Sequence, residues 1–108
     1  MLSLVINNIK YKLGRNAKKN FELIDDAHTL NDNYWWFHIE DYPSGHCIVY
    51  TETIDKSITQ YAASLVKQYS KLKNQKKVRI IYTQIKFIKK NKTIGEVTLL
   101  NKPYIISI

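Results

Sequence analysis

Three histidines and one cysteine are the side chains of this sequence best suited to proton transfer, nucleophilic attack or metal ligation, and two of them, His46 and Cys47, are adjacent. Neighbours in a strand point to opposite faces, and neither a C-x-x-C nor an H-x-x-x-H spacing occurs, so no metal set assembles. No metal or cofactor is expected. Cys47 falls on the face assigned to the core, no glycine-flanked serine elbow is present, and Gly14, Gly45 and Gly95 are scattered rather than gathered into a phosphate-cradling loop. What remains is a general acid–base pair of His38 and His46, with Lys71 or Lys89 as anion stabiliser, a ribonuclease-like but nonspecific constellation. The chain therefore reads as non-enzymatic, with a small RNA-processing or RNA-modifying enzyme as the alternative.

Binding chemistry is better represented. The net charge of +8 is segregated: residues 1–21 carry five basic groups and no acid, residues 22–55 carry eight acids and no Lys or Arg, and residues 56–108 carry twelve basic groups against Glu96 alone. Such a surface concentrates polyanions and steers their approach. Lys86, Lys89, Lys90 and Lys92 lie among Ile85, Phe87 and Ile88, so a strand or turn there displays charge from a rigid sheet. Lysine outnumbers arginine fifteen to two, which disfavours bidentate reading of base edges in a DNA groove and points to RNA shape or single strands. Trp36 and its aromatic neighbours offer stacking area, although core packing is the commoner role at such positions.

These residues must be positioned by short elements. Leu2, Leu4 and Ile6 alternate, Asn7-Asn8 suit the positive φ of a tight turn, and Ile9, Tyr11 and Leu13 alternate again, which predicts a hairpin. Asn16 offers an N-cap for a helix running to about Ala27, with Phe21 and Ile24 on its buried side. Lys18 and Lys19 in its first turn, beside free backbone N–H groups, would seat a phosphate. Residues 34–40 and 47–51 predict a second hairpin. Trp35, Phe37, Ile39, Cys47 and Val49 share its core face, and the other face mixes aromatic and polar groups, Trp36, His38 and His46 among them. Ser57 and Gln60 suggest a capping box for a helix reaching about Lys73. Three β-prone segments, 78–83, 85–90 and 96–100, follow, and residues 104–108 close the chain. The ordering β-β-α-β-β-α-β-β-β argues for an α+β fold: a mostly antiparallel or mixed sheet from hairpins, packed with two helices.

Length bounds the organisation: 108 residues make a single domain spanning 1–108. One cysteine permits no intrachain disulfide, and no signal peptide or spanning segment is evident, so an intracellular, cytoplasmic and reducing setting is expected, without a membrane.

The order of several short motifs adds a resemblance. Gly14-Arg15-Asn16-Ala17-Lys18-Lys19-Asn20 with Glu22-Leu23, then Trp36-Phe37-His38 and Gly45-His46, then Ala62-Ala63 with Tyr69-Ser70-Lys71-Leu72-Lys73, and finally Val78 to Thr83, Lys89-Lys90 and Gly95-Glu96-Val97 resemble the pattern of the NFACT-R domain family. That family occurs in NEMF-like ribosome-quality-control factors and in small stand-alone proteins, of which this chain looks like one. The resemblance implies an RNA-binding module for tRNA or rRNA, linked to translation or ribosome quality control, with no catalytic residue or cofactor. Arg15, Lys18, Lys19, Lys71, Lys89 and Lys90 would contact phosphate. Gly14, Asn16, Asn20, Trp36, His38, Gly45, His46, Ser70, Tyr82 and Thr83 would form a pocket or carry the motif. A ribosome-associated protein partner is a further expectation, and a pure protein-docking module is the remaining alternative.

Overall fold

The computed structural model describes residues 1–108. The first hairpin pairs β1 (Leu2–Ile6) with β2 (Ile9–Leu13), and Asn7 and Asn8 turn it at φ values of 50° and 66°. A two-residue turn with both residues in that region matches the twist of the flanking strands. Helix α1 (Ala17–Leu30) starts as expected, with the Asn16 side chain accepting the Lys19 N–H. It runs three residues past Ala27, and its buried stripe is Asn20, Leu23, Ile24 and Ala27, with Phe21 at the margin.

Strands β3 (Trp35–Ile39) and β4 (Cys47–Val49) pair in the anticipated parity, Phe37 opposite Cys47 and Trp36 opposite Ile48. Helix α2 (Lys56–Gln68) departs from expectation at both ends. Its N-cap is Asp55, whose carboxylate accepts the Ile58 N–H at 2.8 Å, and Ser57 lies inside the first turn. The helix stops at Gln68 rather than near Lys73 because the Ser70 hydroxyl donates to the Lys67 carbonyl and accepts the Leu72 N–H, diverting the backbone into turns.

Beyond α2, β5 (Arg79–Gln84) is followed by a 3-10 turn over Ile85–Phe87, where the first half of a strand over 85–90 was expected. The Ile85 and Lys86 amides donate to the Tyr34 and Asp32 carbonyls, and these bonds lift the chain off the main sheet. It then forms a separate hairpin of β6 (Ile88–Lys90) and β7 (Val97–Leu99) before β8 (Tyr104–Ser107) returns beside β5. The chain thus has one strand more than the sequence ordering contained. The main sheet runs β1-β2-β4-β3-β5-β8, and every pairing in it is antiparallel.

Both faces of that sheet are covered. Phe37, Ile39, Cys47, Val49 and Ile80 pack with Ala62, Ala63 and Val66 of α2. Trp36, Ile48 and Ile81 pack on the opposite face with Leu23, Ile24 and Ala27 of α1 and with Ile85 and Ile88. The face expected to mix aromatic and polar groups is therefore a second apolar core over most of its length, and its polar part is confined to the end that carries His38 and His46. Burial of each large side chain contributes about 1.5–3 kcal/mol, so the two layers anchor the sheet from both sides. No helix is long and apolar enough to cross a membrane.

Candidate nucleic-acid interface

The polar end of the α1 face opens into a cleft of about 1100 Å³. Its walls come from the start of α1 (Arg15, Asn16, Asn20), the β3–β4 loop (Asp41 to His46), the turn after α2 (Tyr69 to Lys71) and the β6–β7 loop. Trp36, His38 and Ile81 also line it, from the sheet.

Local packing explains the residue types. A Cβ at Gly14 would stand 2.3 Å from Asn20 Oδ1, and one at Gly45 would stand 2.3 Å from the Gly14 carbonyl oxygen, so the two loops approach through their glycines. The buried Asn20 side chain uses that space to accept the His46 N–H at 3.0 Å, while the His46 carbonyl accepts from the Gly14 N–H at 3.0 Å. Gly95, at φ +88°, brings the β6–β7 loop against Ala17, where an added Cβ would meet the Ala17 Cβ at 2.7 Å. The start of α1 is thereby clamped between two loops.

Three rings meet inside this frame. The Trp36 indole N–H donates to His46 Nδ1 at 3.1 Å, which leaves the His46 proton on Nε2. His38 stacks on Trp36 with centroids 5.6 Å apart and meets His46 edge-on at 4.8 Å. Burial lowers His38 to about 4 against the opposing pull of the Ile39 and Ser44 backbone, and burial with the His38 charge lowers His46 to about 3. Both imidazoles are neutral at pH 7. His46 is only 2% exposed, so it holds the loop and its neighbours rather than meeting a ligand head-on.

The cations divide into two groups. Arg15 and Lys71 lie on the cleft, with the Arg15 guanidinium 5.1 Å from the Tyr69 ring centre. Lys18, Lys19, Lys89 and Lys90 lie outside its lining. Lys19 pairs with Glu22 at 3.2 Å, and Lys90 pairs with Asp25 at 2.5 Å while lying over Phe21. Of the remaining motif residues, Ser70 lines the cleft while capping the α2 end. Tyr82 lies on the opposite face, stacked on Phe37 and Tyr104, and buried Thr83 donates to Asn101 Oδ1. Asp41, Tyr69, Asn91, Ile94 and Glu96 line the cleft as well, although none of them was among the site residues expected from the sequence. Tyr69 and Glu96 carried a signal, since they stand within the Tyr69-Ser70-Lys71 and Gly95-Glu96-Val97 motifs.

Comparison with known proteins bears on the fold and the family. The C-terminal region of the fibronectin/fibrinogen-binding protein from Streptococcus suis superposes with a TM-score of 0.88 at 20% identity, covering 98% of this chain and 44% of that one. The Rqc2 homolog RqcH of Bacillus subtilis (strain 168) is 28% identical over 78 residues, which is 72% of this chain and 13% of that protein. The chain thus spans less than half the length of either relative. The model of the NFACT protein RNA binding domain matches residues 7–100, and the chain belongs to that family.

Proposed function

We propose that the cleft binds RNA, with backbone phosphate held by Arg15, Lys71 and the start of α1, and a base or ribose lodged on the His38 side of the floor. The observation that carries this reading is the convergence of Arg15, Lys71 and the α1 N-terminus on one cleft with a neutral aromatic floor. Asn16 satisfies one orphan amide of α1 and leaves the Ala17 and Lys18 N–H groups for an anion. Asp41 and Glu96, in the same cleft, offer acceptors to base amino groups and to 2′-hydroxyls, and the 2′-hydroxyl is what tells RNA from DNA. Lys18, Lys19, Lys89 and Lys90 extend the phosphate contacts outside the cleft. Membership of an RNA-binding domain family supports an RNA ligand, and the class proposed for it is tRNA or rRNA, in a translation or ribosome-quality-control setting.

A neutral His38–His46 pair lacks the imidazolium that acid–base cleavage needs near pH 7, so the binding reading is preferred over the enzymatic one. The test is fluorescence anisotropy with tRNA, single-stranded RNA and duplex DNA across a salt series, with RNA integrity followed in the same tubes. Saturable, RNA-preferring binding is expected, and Arg15→Ala with Lys71→Ala should reduce the salt slope by about 0.7 per lost phosphate contact. Absence of RNA binding at low salt overturns the proposal. Cleavage abolished by His38→Ala replaces it with the enzymatic reading.

A further inference from the structure

A second cavity, of about 610 Å³, opens on the opposite face of the sheet, between the start of α2 and the edge strand β8. Three aromatic side chains meet there: Trp35, Tyr82 and Tyr104, with ring centres 5.4–6.0 Å apart. The indole of Trp35 is fixed by its N–H donating to the Glu52 carbonyl at 2.9 Å, and Tyr104 is 59% exposed. Two carboxylates, Glu52 and Asp55, line the same groove, and neither is in an ion pair. One oxygen of each is engaged locally, by Asn33 and by the Ile58 amide, which holds the carboxylates in place. Lys56 is the one cation in the lining.

The strand beside the groove is open. Ile108 exchanges both backbone hydrogen bonds with Val78, and the register then places Ile106 and Tyr104 in the bonded positions against β5. The N–H and C=O groups of Ile105 and Ser107 consequently point away from the sheet, along an edge that nothing in the chain covers. An extended segment added there would send alternate side chains toward the groove.

We propose that this groove receives an arginine side chain from an extended segment of a partner protein paired to the free edge of β8. Aromatic faces attract a cation, and a planar guanidinium both stacks on rings and donates to carboxylates on its edge. The same carboxylates disfavour a phosphate backbone, and the groove lies on the sheet face opposite the RNA cleft. A partner can therefore dock without competing for that cleft.

The test is a titration of the 15N-labelled full chain with the pentapeptide acetyl-Thr-Val-Arg-Val-Thr-amide and with its uncharged citrulline twin. The arginine peptide should shift the Trp35 indole signal and the Ile105 and Ser107 amides saturably, leaving Asn16 and Gly95 unmoved. Citrulline should bind about tenfold more weakly, and Tyr104→Ala or Glu52→Gln should each weaken the arginine peptide by about fivefold. Both substitutions are at exposed positions, and unchanged amide dispersion will verify the fold. No shift at these three signals overturns the proposal, as does equal binding of the citrulline peptide. Shifts of the same signals by octauridylate but not by peptide would reassign the groove to RNA.

Discussion

A methyl group added at Gly14 would collide not only with the Asn20 side-chain oxygen but also with the Asn20 backbone nitrogen, 2.9 Å away, so no rotamer change relieves it. Gly14→Ala is expected to cost about 1–3 kcal/mol as an overpacked contact, measured by urea unfolding. Asn20→Ala should cost a similar amount by leaving the buried His46 amide without its acceptor. The histidines set a pH dependence. Their folded values, about 4 for His38 and about 3 for His46, lie below the ordinary 6.5, so the unfolded chain binds protons first as the medium acidifies. Their contribution is fully present above pH 6.5 and is lost as pH falls toward 3. Stability should already decline between pH 6.5 and 5, and a His38 or His46 imidazole found by NMR to titrate near 6.5 would contradict the burial described. The identities of Gly14, Asn16 and Asn20 were legible as a motif. Only the Asn16 cap was legible as a role, because it acts three residues away, whereas Asn20 acts on a partner 26 residues downstream.

The two helices show where local signals suffice. Apolar spacing placed α2, yet Asp55 and Ser57 are both good caps, and the choice between them depends on how the preceding loop leaves the sheet. Asp55→Ala should therefore lose about 1 kcal/mol in thermal or urea unfolding, and Ser57→Ala should stay within about 0.5 kcal/mol of the parent. The opposite ranking would restore the capping box anticipated from sequence. At residues 85–87 local propensity favours a strand, and what decides the 3-10 turn is a pair of amide bonds to Asp32 and Tyr34, more than fifty residues earlier. Without that turn β6 would continue the main sheet, and the β6–β7 hairpin would not close over α1. Much of the cleft was illegible for this reason: Asn91, Ile94 and Glu96 reach it only once the turn has redirected the chain.

Across the whole molecule, the cleft proposed for RNA and the groove proposed for an arginine lie on opposite faces of one sheet. RNA affinity should fall more for Arg15→Ala with Lys71→Ala than for Lys89→Ala with Lys90→Ala, since Lys90 is already engaged with Asp25. Anisotropy at one fixed salt concentration ranks the two pairs, and the reverse order would move the phosphate track to the β6–β7 hairpin. The fold class and the parity of the central hairpin were legible because hydrophobic alternation records burial directly. That the second face is also covered was not legible, because covering depends on where α1 and the small hairpin land. The central position of β4 has a practical side. Cys47 is fully buried between β2 and β3, and its thiol is pushed up to about 12 by burial, so in the folded chain it is shielded from alkylating reagents and carries almost no thiolate. It is also the sole thiol in the sequence. The protein thus carries its own clock for sheet opening: the rate at which iodoacetamide consumes Cys47 counts the moments when the centre of the sheet comes apart, and any ligand bound to the folded state should slow it.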